Sequence, residues 1–180
     1  MSQLAALTRR WAISTCSWAI STCIGLSFGP PQANADETRW RFFDQNGRAL
    51  LAITDTDEAT DAIGSPSFDC AAGSDRVEVR GDANKALRRA IGNVISADQY
   101  PKVNVAPFEK ESFVMLSVSY SEISGWQYGF DLPVSSPQFE RFKQTGVLEF
   151  KLAGTAVREG SKVGLDAAAK FQAFCKQQSK

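Results

Sequence analysis

Histidine is absent from all 180 residues. With it go the Ser-His-Asp and Cys-His catalytic devices, His-ligated zinc or iron sites, and the usual near-neutral pH switch. An excess of either charge is also missing. Lys plus Arg is 20 and Asp plus Glu is 20, so the formal net charge is zero. That balance excludes a basic nucleic-acid arm and a polybasic membrane patch. No Gly-x-Ser-x-Gly elbow, Ser-x-x-Lys pair, glycine-rich phosphate loop or metal-ligand spacing occurs, so no cofactor and no metal are expected. The composition is 43% hydrophobic and 22% charged, which is ordinary globular chemistry.

The first 35 residues read as an address. Arg9 and Arg10 form a positive start, an apolar stretch runs from Trp11 to Phe28, and Ala33-Asn34-Ala35 precedes Asp36. These are the parts of a secretory signal peptide, with cleavage expected after Ala35. The apolar stretch is about long enough to span a bilayer, so an uncleaved anchor is the alternative. Its Ser and Thr content and the placement of the A-x-A site favour cleavage. A twin-arginine signal would want Phe-Leu where Ala12-Ile13 stand, and Thr15 and Thr22 precede the two cysteines where a lipobox wants Gly or Ala. The mature chain, 36–180, is then slightly acidic, periplasmic or secreted, and without a membrane span.

Two cysteines remain in it, Cys70 and Cys175. In an oxidising compartment an even pair becomes a structural disulfide. A redox pair is disfavoured, because no C-x-x-C spacing lowers a thiol pKa.

Periodicity outlines the rest. Asn46-Gly47, between apolar runs, predicts a hairpin. Residues 54–66 are acidic and small and read as a loop. Ser67–Cys70 and Arg76–Arg80 read as strands. Asp82 is placed to cap a helix over about 83–95, with Ala83, Ala86, Leu87, Ala90, Ile91 and Val94 on one face. Tyr100 to Phe108 contains two prolines and reads as irregular or an edge strand. Ser112 to Tyr120 is rich in Phe, Val, Met and Leu and reads as one buried strand, followed by a strand through Trp126. Ser136-Pro137 opens a helix that Gly146 stops. Val147 to Leu152 is a strand, and a last helix runs from Leu165 to Gln177. No linker divides residues 36–180. The expectation is one compact α+β domain: an antiparallel sheet with two to three packed helices, stapled by Cys70–Cys175.

Cys70-Ala71-Ala72-Gly73-Ser74, Val77-Glu78-Val79 and the closing Phe171-Gln172-Ala173-Phe174-Cys175, with Trp40 starting the first strand, carry a resemblance. The chain resembles small exported proteins of Gram-negative, especially alphaproteobacterial, bacteria with no assigned function. The resemblance implies a periplasmic, disulfide-bonded domain and brings no catalytic residues.

Three patterns bear on function. Asp55-Thr56-Asp57-Glu58-Ala59-Thr60-Asp61 has the density of a calcium loop, but Ala59 and Thr60 break the ligand series, so a solvated loop is the better reading. Arg76, Arg80, Arg88 and Arg89 could gather around an anion, against the plainer reading of a partly neutralised surface. Trp126, Tyr128 and Phe130 alternate on one face. Such a stripe is commonly core, and it is also the first place to look for a sugar or peptide ligand. The leading expectation is a non-enzymatic module binding an envelope protein, peptide or glycan through a sheet face or edge strand, an inhibitor of a cell-wall hydrolase being one version. The alternative is a carboxylate-dependent glycan hydrolase, which requires a cleft with two acids, one of raised pKa.

Overall fold

Most strands pair antiparallel with a neighbour in sequence. The computed structural model describes residues 38–59, 64–110, 112–123 and 125–177. The expected signal peptide over 1–35, and Thr60 and Asp61 of the acidic run, lie outside them.

The hairpin forms as predicted. Strands β1 (Arg39–Gln45) and β2 (Arg48–Thr54) are joined by Asn46 and Gly47. Both have positive φ, 52° and 79°, as a tight two-residue turn requires. Strands β3 (Ser67–Ala71) and β4 (Arg76–Asp82) follow, then helix α1 (Lys85–Ser96). Strands β5 (Lys102–Val105), β6 (Phe113–Met115), β7 (Ser117–Ser121) and β8 (Gly125–Pro133) lead to helix α2 (Pro137–Thr145). Strands β9 (Val147–Leu152) and β10 (Thr155–Gly160) precede helix α3 (Leu165–Cys175). The strands form two antiparallel sheets, ordered β1-β2-β3-β4-β8-β7 and β10-β9-β5-β6. The fold is α+β and β-dominated, and its inner faces meet where Tyr128 and Phe130 lie 5.0 and 5.4 Å from the ring of Phe150.

Four expectations need correction. Residues 100–108 hold no edge strand: β5 pairs with both β6 and β9. Pro101 and Pro107 stand just outside it, where a missing N–H costs no ladder hydrogen bond. Residues 112–120 are not one buried strand. Leu116 is buried, but it is the point where the chain leaves one sheet for the other, and its N–H donates to the Pro101 carbonyl at 2.9 Å. Phe113, Met115 and Tyr120 are exposed, since both β6 and β7 end their sheets and an edge has no neighbour on one side. Asp82 does not cap α1. It still belongs to β4, and the Asn84 side chain accepts the Leu87 N–H instead, at 2.9 Å. The last helix ends at Cys175, two residues earlier than the sequence suggests.

Helix α2 follows its signals. The Ser136 hydroxyl accepts from the Phe139 N–H, Pro137 fills the first turn, and Gly146 closes the helix in the left-handed conformation. Phe139 and Phe142 point inward against Phe68 and Trp40. Trp40 is almost wholly buried, and its indole N–H is shared between the carbonyls of Gly146 and Ser161, both at 2.9 Å. Gly164 lies against the Trp40 backbone so closely that a Cβ there would meet the carbonyl oxygen.

Cys70 in β3 and Cys175 at the end of α3 form the predicted disulfide, Cα to Cα 5.9 Å. Such a bond fits an oxidising compartment. No helix among the described residues is long and apolar enough to cross a membrane.

Candidate functional site

Strand β8 carries the aromatic stripe out of the core into solvent. Tyr128 and Phe130 are buried, stacking on each other and packing edge-on to Phe150. Neither ring offers a face to a ligand. Trp126, two residues closer to the strand's start, is 44% exposed and touches Tyr120 of β7 at 5.4 Å between centroids. Of the three stripe residues, Trp126 alone can meet a ligand with its ring.

Helix α1 sets the opposite wall. Leu87, Ala90 and Ile91 bury one side of it. Lys85, Arg88, Arg89, Gly92 and Ile95 recur at helical spacing along the adjoining side. Between this side and Trp126 and Val118 lies a groove of about 560 Å³. Ile95 is 56% exposed above it. Gly92 has no packing role, since a Cβ there would meet nothing within 4 Å. A glycine inside a helix costs roughly 0.5–1 kcal/mol relative to alanine; here it leaves the groove open.

The four arginines suggested for an anion site do not come together. Arg76 pairs with Asp131 at 3.3 Å and Arg80 with Glu78 at 2.7 Å, on the outer face of the six-stranded sheet. The Arg80 hydrogen bond holds the Glu78 carboxyl below its usual range. Arg88 and Arg89 are on α1, and with Lys85 they rim the groove. Among the described residues these three cations make no ion pair, whereas those of the strands and of the other helices pair repeatedly.

A second recess of about 570 Å³ adjoins the groove through Arg88 and Trp126. Its walls include Asp82, at the end of β4, and Glu159, on β10. The Tyr128 hydroxyl donates to Glu159 at 2.8 Å. Gly81 allows this, because a Cβ there would strike the Tyr128 ring as it crosses β4. Partial burial pushes the Glu159 carboxyl above its ordinary value; the Tyr128 hydrogen bond opposes this, and the Asp82 charge adds to it. Burial, then the Glu159 charge and the hydrogen bond to it, push the Tyr128 phenol well above its ordinary pKa.

Glu159 escaped the sequence reading because its strand did. Thr155–Gly160 has a single buried residue, Val157, and otherwise reads as a polar loop. The available signal was the turn before it, Ala153-Gly154, with φ of 45° and 83°. The raised pKa carries a stability consequence with a definite sign. The folded state disfavours ionised Glu159, so its contribution weakens as pH rises through the folded pKa. Glu159→Gln keeps an acceptor for Tyr128 and removes the charge. It should melt higher than wild type at about pH 8 and level with it at about pH 4. Thermal melts by circular dichroism at the two pH values check this; an equal difference at both would show that Glu159 carries no such penalty.

The described part of the acidic run is held by local contacts. Asp57 pairs with Arg41, and the Thr54 and Thr56 hydroxyls accept the backbone N–H groups two residues on. Among the described residues no group of three acidic or cysteine side chains is gathered as metal ligands would be. No family model matches the chain, and no curated protein or solved structure matches it.

Proposed function

We propose that the protein is a non-enzymatic binding module of the bacterial envelope, exported after loss of residues 1–35, that takes its partner on the surface around Trp126. The observation that carries this reading is the groove between α1 and the β7–β8 edge. Its floor and walls are apolar, it holds a half-exposed tryptophan, and it is rimmed by three cations that make no ion pair among the described residues. Tryptophan and arginine beside a desolvated pocket are the residue types that dominate binding energy at interfaces. Inhibition of an envelope hydrolase is one form this binding would take. Crosslinked capture from envelope extract tests it: a partner retained by the wild type should be lost on Trp126→Ala, with the circular dichroism spectrum unchanged. Capture that ignores Trp126→Ala would remove the site from this surface.

One observation favours a second reading. Asp82 and Glu159 share a recess with Trp126, and Glu159 holds its proton more tightly than usual. A carboxylate-dependent glycan hydrolase needs such a pair, one acid to protonate the leaving oxygen and one carboxylate to assist attack. Incubation with cell-wall glycan supplies the discriminating arm. Release of new reducing ends, abolished by Glu159→Gln, would replace the binding module by the hydrolase.

A further inference from the structure

The binding-module reading leaves the partner's chemistry open, and the edge of β7 narrows it. Among the described residues β7 pairs with β8 and with no other strand, so it ends its sheet. Sheet ends are ordinarily guarded by charge, proline or brevity. Here β1 carries Arg39, Arg41 and Asp44, β10 carries Arg158 and Glu159, and β6 is three residues long. Strand β7 is Ser-Val-Ser-Tyr-Ser, five residues with neither charge nor proline. Its Val118 and Tyr120 lie opposite Tyr128 and Trp126 in register, so they share the groove side of the sheet.

A strand added beyond β7 would lie about 4.8 Å from it, and alternate side chains would point to that same side. There they would meet the groove that Gly92 leaves open beneath Ile95. We propose that β7 accepts such a strand: an extended acidic segment of a partner protein, which sets alternate apolar side chains between α1 and Trp126 and its carboxylates near Lys85, Arg88 and Arg89. Main-chain pairing supplies affinity and the alternate pockets supply selectivity, as in other strand-addition complexes. Charge decides between occupants. A second copy docked through the same face would set its own Lys85, Arg88 and Arg89 against these three. A lipid with one anionic head would fill the groove but make no use of the strand edge.

The test begins with a displayed library of short linear peptides selected on the purified protein. Enriched sequences should alternate apolar and acidic residues. A synthetic peptide of that consensus should shift the backbone amide resonances of residues 117–121 and the Trp126 indole resonance. Its affinity should fall roughly tenfold on Arg88→Glu with Arg89→Glu. N-methylation of alternate peptide amides should weaken it as much, since it removes the donors a strand needs. Gly92→Leu should abolish binding while the protein melts no lower than wild type, which separates filling the groove from unfolding. Enrichment without alternation, indifference to N-methylation, or displacement of the peptide by laurate without any β7 amide shift would overturn the proposal; the last would identify a lipid instead. Selection of no peptide, with Trp126-dependent capture intact, overturns strand addition and leaves the binding module standing. Loss of Trp126 dependence as well removes both.

Discussion

Trp40→Ala is expected to lower stability by about 3–5 kcal/mol, the range for emptying a buried tryptophan site. The ring contributes more than area. It packs edge-on to Phe68 at 5.6 Å and to Phe142 at 5.1 Å, so its loss opens a cavity in the aromatic centre of the core. Its N–H also serves two acceptors, the buried carbonyl that ends α2 and the half-buried one that follows β10. Trp40→Phe keeps much of the packing and removes the indole donor; the Gly146 carbonyl keeps the Ser161 N–H at 3.0 Å, and the Ser161 carbonyl loses its indole partner. That control should cost less, about 1–3 kcal/mol. Urea denaturation followed by far-ultraviolet circular dichroism measures both without relying on tryptophan fluorescence. Total stability for a domain of this size is about 5–15 kcal/mol, so the alanine variant should be near the limit of folding at physiological temperature. A loss under about 1 kcal/mol would mean that the core closes over the gap and that Trp40 is not its keystone.

The second large effect is expected from the disulfide. Cys70 and Cys175 close a loop of 105 residues. Loop-closure entropy gives about 4–5 kcal/mol for that span, and measured removals of native bonds cost about 2–5. The double change Cys70→Ala with Cys175→Ala avoids leaving one reactive thiol. It should lower the urea midpoint and steepen the slope, because the unfolded chain without the cross-link exposes more surface, and reductant should move the wild type to about the same midpoint. Helix α3 has further anchors: Phe171 and Phe174 pack on Phe139, Phe68 and Phe42, and Gln172 donates to the Val134 carbonyl at 3.0 Å. The variant should therefore still fold. Wild type and variant with matching midpoints would show that the unfolded chain is already compact across this span.

Local rules made some parts of the molecule readable in advance. Asn46-Gly47 fixes a turn within two residues, and Ser136-Pro137 with Gly146 brackets α2, because each feature acts on the backbone beside it. Cys70 and Cys175 were the only pair left to bond in the expected mature chain. What sequence alone did not give was partnership at a distance. Prolines 101 and 107 look the same beside an edge strand as beside an interior one. Phe113, Met115 and Tyr120 look like core until the sheets run out around them. The site depends most on such meetings. Lys85, Arg88 and Arg89 acquire meaning beside Trp126, some forty residues along, and Glu159 beside Tyr128 and Asp82 from three different strands. The core reading of the aromatic stripe suits Tyr128 and Phe130 and stops at Trp126, and the alternation alone does not indicate where the cover ends.

The indole clamp has a consequence in the order of events. Synthesis delivers β1 first, yet the groups that hold Trp40 are Gly146, Ser161 and the backbone at Val163 and Gly164, and Phe171 completes the cluster around it. The first hairpin must therefore wait, one face uncovered, until the last fifth of the chain has emerged. Contacts of such long separation close slowly. A chain truncated anywhere before α3 keeps its earliest strands and lacks what seals them, so incomplete products of this protein expose apolar surface that the whole chain buries.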